Sequence, residues 1–286
     1  MGADLMSFEA AERVFEEADE VLGFALSELC FLGPEEELRR TLNTQPAVFT
    51  VSWACFQAAL DTGVLDATPP AFVAGHSLGE YTAVVASGCL GFEEGLRLVR
   101  ERALLMEEAG RIEPGTMAAV LGMDREALEE VCREAGVEVA NLNAPDQIAI
   151  SGDVAGIERA MELAKERGAR RVIPLPVGGA FHSRLMRPAA DGMTKALSSA
   201  KFQEPRVPII ANTSGQPLST AIEVREELSR QLSAPVYWQT SVETMAAQGV
   251  TEFVEIGPGK VLTGLVKRAL PDAVVVNLGD AASLAR

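Results

Sequence analysis

The chain is poor in cysteine, and its few cysteines lie far apart. Cys30, Cys55, Cys89 and Cys132 form no C-x-x-C pair, and each lies among apolar residues. Zinc sites and disulfide frameworks both need cysteines at close, recurring spacings. The spacing therefore argues against both and predicts four small buried side chains. We expect neither a metal nor any other cofactor.

Long apolar runs are also missing. No run approaches the roughly 18 residues that a membrane span requires. The first turns carry Asp4, Glu9, Glu12 and Glu16, where a signal peptide would be basic and then apolar. We therefore expect a cytoplasmic protein without a membrane partner. The 286 residues, 48% hydrophobic but only 5% aromatic, can bury an aliphatic core in one large or two modest domains.

Basic residues are in short supply. The chain has 25 Lys and Arg against 41 Asp and Glu, a formal net charge of −16 at pH 7. Nucleic acids are bound through clustered positive charge, so we expect no nucleic-acid partner. An acidic protein partner would have to use a local basic patch.

One motif stands out against these absences. Gly75-His76-Ser77-Leu78-Gly79 follows an apolar run at 70–74, a predicted buried strand, and precedes a predicted helix at 80–86. G-x-S-x-G in that setting is typical of a nucleophile elbow, which projects the serine hydroxyl and aims free helix N–H groups at it. The motif predicts acyl chemistry through an ester of Ser77. A structural Ser-Gly turn is the alternative.

Histidine occurs only twice, at His76 and His182. A serine nucleophile normally needs a neutral imidazole as general base. His76 belongs to the elbow itself and would point in a different direction, so His182 is the candidate base by elimination. A surface or capping histidine before Ser183 is the alternative.

Arg102 has an unexpected place on its helix. Residues 92–109 are predicted to form a helix that ends at Gly110, and the 3.6-residue period puts Arg102 in the middle of its apolar half. That half contains Leu98, Val99, Ala103, Leu105, Met106 and Ala109. A guanidinium that faces a core costs several kcal/mol unless an anion meets it. The anion is either a buried Asp or Glu or the carboxylate of a ligand.

The order of predicted elements suggests a divided α/β protein. Helices and strands alternate over 1–113 and resume over 182–286 with a predicted helix at 184–200 and a predicted strand at 207–210, whereas 114–181 has the succession βαββαβ. We predict a hydrolase-like core with a parallel sheet and a nucleophile elbow, built from 1–113 and 182–286. The segment 114–181 would be an inserted ferredoxin-like α+β subdomain.

Eight stretches along the chain carry a family resemblance. They are Thr44-Gln45-Pro46-Ala47, Gly75-His76-Ser77-Leu78-Gly79-Glu80-Tyr81, Arg102, Gly115-Thr116-Met117-Ala118-Ala119, Asn141-Leu142-Asn143-Ala144-Pro145, Gly179-Ala180-Phe181-His182-Ser183, Arg230-Gln231-Leu232 and Glu255-Ile256-Gly257-Pro258-Gly259-Lys260. In this order they resemble the malonyl-CoA:acyl-carrier-protein transacylases of fatty acid synthesis. The resemblance covers nearly the whole chain.

The resemblance implies catalytic roles for four residues of these stretches. Ser77 would attack the malonyl thioester, and His182 would act as general base and then acid. The backbone carbonyl of Gln231 would orient the imidazole, a role that triads usually give to a carboxylate. The N–H of Leu78 would supply half of the oxyanion hole.

The resemblance also implies a substrate site and partners. Arg102 would hold the free malonyl carboxylate, and Phe181 would narrow the pocket against a methyl branch, a preference of about 1–3 kcal/mol. Met106, His76 and Asn143 would also bind substrate. The expected partners are malonyl-CoA and a phosphopantetheine-bearing acyl carrier protein, with a monomeric enzyme.

One departure from the family pattern concerns the N-terminus. Family members open with a buried strand and a Gly-Gln-Gly turn whose glutamine supplies the second oxyanion N–H. Met1-Gly2-Ala3-Asp4-Leu5 resembles the segment just after that turn. A start assigned too late or a shortened chain is expected to explain this.

The sequence also allows other functions. A serine hydrolase of the α/β class would use the same elbow, but it places its histidine near the C-terminus after an acid, whereas no histidine follows His182. The carrier could belong to polyketide synthesis rather than fatty acid synthesis. A shortened member of the family would be catalytically impaired.

Overall fold

A computed structural model describes residues 1–65 and 68–285, in which helices surround short strands. The helices are α1 (Glu9–Leu22), α2 (Leu26–Leu32), α3 (Glu35–Arg39), α4 (Thr41–Asp61), α5 (Gly79–Ala86), α6 (Phe92–Ile112), α7 (Arg125–Ala135), α8 (Val154–Glu166), α9 (Arg187–Ser199), α10 (Ala221–Arg230), α11 (Trp238–Ala247), α12 (Val261–Ala269) and α13 (Ala281–Leu284). The strands are β1 (Val73–Ala74), β2 (Gly115–Leu121), β3 (Glu138–Ala144), β4 (Gln147–Asp153), β5 (Arg171–Leu175), β6 (Ile209–Ile210), β7 (Pro217–Leu218), β8 (Glu252–Ile256) and β9 (Val274–Leu278). The chain is thus a mixed α/β protein.

The strand that leads into the G-x-S-x-G turn lies in a small mixed sheet. β1 pairs in parallel with β6, and β6 pairs antiparallel with β7. β8 and β9 form a separate parallel pair. Because parallel strands end at the same edge of a sheet, the segment after β6 comes to lie beside the turn after β1.

Helix α4 lies inside the helical layer, packed against α1, α5 and α6. Its buried residues are mostly small, with Phe49 filling the space against Phe92 of α6. Small side chains let neighbouring helices approach closely, and their combined burial supplies the hydrophobic driving force. This packing places one face of α6 next to the first turns of α4 and α5.

Residues 115–175 form a sheet of their own with two helices on one face. The strand order is β3-β4-β2-β5, and every neighbouring pair is antiparallel. Helices α7 and α8 pack on this sheet over a separate apolar cluster. Along the chain the elements follow the order βαββαβ.

Several boundaries differ from the sequence prediction. The helix predicted to end at Gly110 continues to Ile112, so Gly110 is no cap. A Cβ at this position would lie 2.6 Å from the carbonyl oxygen of Gly178, so glycine here permits a close approach of the loop before His182. The predicted helix at 184–200 is a 3₁₀ turn, Arg184–Met186, followed by α9.

Two predicted strands are shorter in the structure, and some short elements escaped prediction. Residues 70–74 and 207–210 keep only two strand residues each, in β1 and β6. Helices α2, α3 and α13 and strand β7 were not predicted, because short elements leave no periodic pattern. All four cysteines are buried and free, as predicted. Over the described ranges, no helix is long and apolar enough to cross a membrane.

Candidate active site

The turn between β1 and α5 exposes Ser77 at the helix N-terminus. Ser77 has a φ of 51°, in the left-handed region that non-glycine residues seldom adopt. A Cβ on Gly75 would lie 2.0 Å from the backbone of Gly79, so the turn closes only with glycine there. A Cβ on Gly79 would meet nothing within 4 Å. The sharp reversal therefore depends on Gly75 and on the strained Ser77, and not on Gly79.

This difference between the two glycines predicts opposite effects of alanine. Gly75→Ala should lower the free energy of unfolding by at least about 3 kcal/mol, because the turn must open to admit the methyl group. Gly79→Ala, the matched control, should leave stability unchanged or raise it by up to about 1 kcal/mol, because alanine favours a helix. Chemical denaturation measures both. Equal stability of the two variants would contradict this account of the turn.

Ser77 and His182 are in direct contact although 105 positions separate them. The Oγ of Ser77 lies 2.7 Å from Nε2 of His182, and Nδ1 of His182 lies 3.0 Å from the carbonyl oxygen of Gln231. The backbone N–H of His182 also donates to the carbonyl of Leu232. His182 is 5% exposed and adopts a φ of 58°. The imidazole is therefore held at both nitrogens in a buried position.

The electrostatics favour the neutral form of this imidazole. Burial, together with the positive charge of Arg102, lowers the pKa of His182 to about 3. The carbonyl of Gln231 accepts from Nδ1–H, which leaves Nε2 as the free acceptor for the Ser77 proton. His182 is thus in the form that a general base requires.

This low pKa predicts a measurable pH dependence of stability. The unfolded imidazole takes up a proton below about pH 6.5, whereas the folded one does not. The protonation of His182 therefore lowers the free energy of unfolding as the pH falls through 6.5. Between pH 7 and pH 5 the loss is about 2 kcal/mol. The difference in unfolding free energy between wild type and His182→Gln should change by this amount, with the variant less sensitive to acid. A constant difference across that range would rule out a depressed pKa.

Arg102 is 1% exposed, as its position on the apolar face predicted, and it reaches the same serine. Its Nη2 donates to Oγ of Ser77 at 2.9 Å and to Oε1 of Gln231 at 3.1 Å, and its Nη1 donates to Oε1 of Gln45. The guanidinium also lies 5.6 Å from the ring centre of Tyr81. Burial lowers the pKa of Arg102.

The hydrogen-bond partners of Arg102 bear on the two alternatives raised by the sequence. Among the described residues, Arg102 makes no ion pair with a carboxylate. Its Nε has no hydrogen-bond partner there. A buried guanidinium with neutral partners is well suited to receive a carboxylate from a ligand.

Asn212, in the segment that follows β6, hydrogen-bonds to the turn that carries Ser77. Its Oδ1 accepts from the N–H of Ser77 at 2.7 Å, and its Nδ2 donates to the carbonyl of Gly75 at 2.7 Å. Since this uses the N–H of Ser77, the N–H of Leu78 is the next donor at the helix start. Among the described residues, that N–H donates no backbone hydrogen bond. It is therefore free to serve an oxyanion.

Asn212 and Glu80 were missed by the sequence interpretation. Glu80 follows the elbow directly and is 1% exposed, and its Oε1 accepts from the backbone N–H of Asn212 at 2.8 Å. A polar residue immediately after the apolar run at 207–211 was the available signal for Asn212. That signal could be connected to the elbow only with the knowledge that β6 pairs with β1.

The remaining predicted residues lie in three places around this centre. Met106 is buried, and its sulfur accepts from Nε2 of Gln45, the residue that also binds Arg102. Nε2 of His76 lies 2.7 Å from Oδ1 of Asn143 on β3, and burial lowers the pKa of His76. Phe181 is half-buried between the helical core and the cluster on the second face of the β2–β5 sheet.

The arrangement is suited to acyl chemistry at Ser77. A neutral imidazole oriented by a carbonyl and a buried guanidinium meet at the Oγ of Ser77, and the N–H of Leu78 is the next one along the chain. The described residues contain no group of side chains suited to hold a metal ion. The geometry fits nucleophilic attack by Ser77 on an acyl group. The guanidinium of Arg102 favours an acyl group whose far end carries a negative charge.

Comparisons with known proteins agree with this chemistry. The family model "Acyl transferase domain" matches residues 1–284. The chain is 48% identical over 264 residues to the malonyl CoA-acyl carrier protein transacylase of Bacillus subtilis. The match covers 91% of this chain and 82% of that relative.

Two solved structures resemble the fold closely. One is the acyl-carrier-protein-S-malonyltransferase of Bartonella henselae, with a TM-score of 0.95, 40% identity, and coverage of 99% of this chain and 92% of that one. The other is PlMCAT:AntF, a malonyl-transacylase in complex with a type II polyketide synthase acyl-carrier protein. It gives a TM-score of 0.94 at 40% identity, covering 99% of this chain and 93% of that one.

Proposed function

The chain belongs to the acyl transferase domain family, and we propose that within it this enzyme transfers malonyl groups from malonyl-CoA to acyl carrier protein for fatty acid synthesis. It is an acyl-carrier-protein S-malonyltransferase. The observation that carries the proposal is the convergence of His182 and Arg102 on the Oγ of Ser77, at 2.7 and 2.9 Å. One contact supplies the base and the other a site for a carboxylate.

The first half-reaction forms an ester on Ser77. Its Oγ attacks the thioester carbonyl while Nε2 of His182 takes the hydroxyl proton. The N–H of Leu78 donates to the oxyanion of the tetrahedral intermediate, an interaction whose loss costs about 100- to 1000-fold in rate. When the C–S bond breaks, His182 returns the proton to the CoA sulfur. Malonyl-Ser77 and free CoA result.

The second half-reaction repeats these steps with a different thiol. The phosphopantetheine thiol of the carrier gives its proton to His182 and attacks the ester carbonyl. Collapse of the intermediate breaks the C–O bond, and Ser77 regains a proton from His182. The backbone carbonyl of Gln231 keeps the imidazole in the same tautomer through both halves.

Arg102 acts on the other end of the acyl chain. It pairs with the free malonyl carboxylate and places the thioester carbonyl against Ser77. A bidentate pair with a buried guanidinium is worth several kcal/mol relative to an uncharged acyl end. Phe181 narrows the acyl site against a methyl branch. Met106 supports Arg102 through Gln45, and His76, bonded to Asn143 on β3, contributes to the substrate site from the side of the β2–β5 sheet.

The division of the chain follows from the order of its elements. We assign 1–113 and 182–286 to a hydrolase-like core and 114–181 to a ferredoxin-like subdomain. The β3-β4-β2-β5 strand order with two helices on one face supports the latter assignment. We further assign the enzyme to the cytoplasm as a monomer that acts without a cofactor and binds neither nucleic acid nor membrane.

Mass spectrometry of the intact protein tests the proposed function. After mixing with malonyl-CoA, Ser77 should carry one malonyl group, and added holo acyl carrier protein should remove it as malonyl-carrier. A wild-type protein that never gains this mass would overturn the proposal. Release of free malonate at a rate comparable to carrier loading would instead identify a hydrolase.

A further inference from the structure

The side-chain amide of Gln231 lies between two buried groups of opposite charge. Its Oε1 accepts from Nη2 of Arg102 at 3.1 Å, and its Nε2 donates to Oε2 of Glu80 at 2.5 Å. The same Nε2 donates to the carbonyl of Ser77 at 2.8 Å. Gln231 is fully buried, and Arg102 and Glu80 are each 1% exposed. The amide therefore joins a guanidinium to a carboxylate without direct contact between the two.

Both oxygens of Glu80 act as acceptors in this arrangement. Oε1 accepts from the backbone N–H of Asn212 and Oε2 from Gln231, the pattern of an ionised carboxylate. Burial and the nearby Glu227 raise the pKa of Glu80 well above its usual value, and its two donors and Arg102 offset only part of that shift. The hydrogen bonds thus connect Glu80 to the guanidinium of Arg102 through one intervening amide.

The orientation of that amide decides whether Arg102 keeps an acceptor. Both oxygens of Glu80 accept in this geometry, so the nitrogen of Gln231 faces Glu80 and its oxygen faces Arg102. With the amide reversed, its NH₂ group would meet the N–H groups of the guanidinium, donor against donor. Glu80 and the carbonyl of Ser77, which accept from the same nitrogen, therefore select one of two orientations that an amide alone would not distinguish.

We propose that Glu80 is a positioning residue that acts through Gln231: it holds the guanidinium of Arg102 in place and thereby sets the preference for acyl chains with a free carboxylate. This inference rests on the proposed malonyl transfer. Glu80 touches neither the acyl chain nor the reacting atoms.

Glu80→Gln tests this role, because the variant keeps the shape and replaces one acceptor by a donor. The oxygen of the new amide keeps the bond from the fixed backbone N–H of Asn212, and its NH₂ group then faces Gln231. Two NH₂ groups then oppose each other, only the carbonyl of Ser77 still holds the amide of Gln231 from that side, and the hydrogen bond of Gln231 with Arg102 weakens. We expect the ratio of malonyl to acetyl loading of Ser77, as kcat/KM, to fall about 10-fold or more. Acetyl loading should stay within about threefold of wild type.

Glu227→Gln is the matched control. Glu227 is also fully buried, and its carboxylate accepts from the N–H of Thr213, next to Asn212, at 2.7 Å and pairs with Arg230. It makes no hydrogen bond to Gln231 or Arg102 among the described residues. This change should leave the malonyl-to-acetyl ratio within about twofold of wild type.

A double-mutant cycle separates positioning from general damage. If Glu80 acts through Arg102, then adding Glu80→Gln to Arg102→Ala should lower malonyl loading by less than about twofold further. An additive loss, or equal losses of malonyl and acetyl loading in the single variant, would overturn the inference. Wild-type loading, measured alongside, reports separately on the proposed function.

A second variant keeps the test decisive if Glu80→Gln does not fold. Gln231→Met removes the amide and retains the backbone carbonyl that binds His182. It should lower the malonyl-to-acetyl ratio to the same extent. Thermal unfolding identifies the folded variants, and an unchanged ratio in folded Gln231→Met would overturn the relay.

Discussion

Replacing Ser77 with alanine should lower malonyl transfer by about 10⁴-fold or more, and no malonyl mass should remain on the protein. The alanine removes the Oγ on which His182 and Arg102 converge, and the described residues place no other hydroxyl on Nε2 of His182. Oxyanion stabilisation and binding alone would leave only a small residual rate. Intact-protein mass spectrometry and the rate of malonyl-carrier formation measure the two effects.

Ser87→Ala is a suitable control because Ser87 caps the other end of the same helix. Its buried Oγ donates to the carbonyl of Val84 at 2.7 Å, away from the elbow. This variant should take up malonyl at the wild-type rate. A Ser77→Ala protein that still forms a stable malonyl ester would show that another residue is the nucleophile.

The sequence alone was sufficient to identify Ser77, His182 and Arg102 as candidates, because each is marked by a local feature of the chain. Ser77 lies in a five-residue motif, His182 is one of two histidines, and Arg102 interrupts an apolar helix face. The structure brings the three side chains together at one Oγ. Their mutual distances could not be derived from local patterns, since they depend on how α5, α6 and the segment before α9 pack.

The contacts of Asn212 and of the side-chain amide of Gln231 were beyond sequence reasoning for a physical reason, although the family resemblance implied a role for the backbone carbonyl of Gln231. Asn212 and Gln231 act on Ser77 from 135 and 154 positions away in the chain. Their contacts exist only because β6 pairs in parallel with β1 and because α10 ends beside the elbow. The error at Gly110 has a similar origin. A glycine after an apolar helix signals a cap, but here the loop before His182 crosses the helix at that point.

The orientation of His182 by a neutral carbonyl has an electrostatic consequence. A carboxylate in this position would stabilise the imidazolium that forms during catalysis, and the carbonyl of Gln231 does so only weakly. The nearby guanidinium of Arg102 works in the opposite direction and lowers the pKa of His182. A malonyl carboxylate bound to Arg102 would compensate that charge. The correct substrate would therefore make His182 a stronger base.

Arg102→Ala should reveal this coupling as a reversal of acyl preference. Malonyl loading of Ser77 should fall about 100-fold or more, since a charge-assisted pair of hydrogen bonds to the free carboxylate is lost. Acetyl loading should be retained or increase, because the pKa of His182 rises and Ser77 loses its hydrogen bond from Arg102. Arg100→Ala is the control: this residue lies on the same helix and donates to the carbonyl of Leu42 at 2.8 Å. The control should keep the wild-type preference. Equal losses of malonyl and acetyl loading in Arg102→Ala would mean that the guanidinium serves the fold and not the substrate.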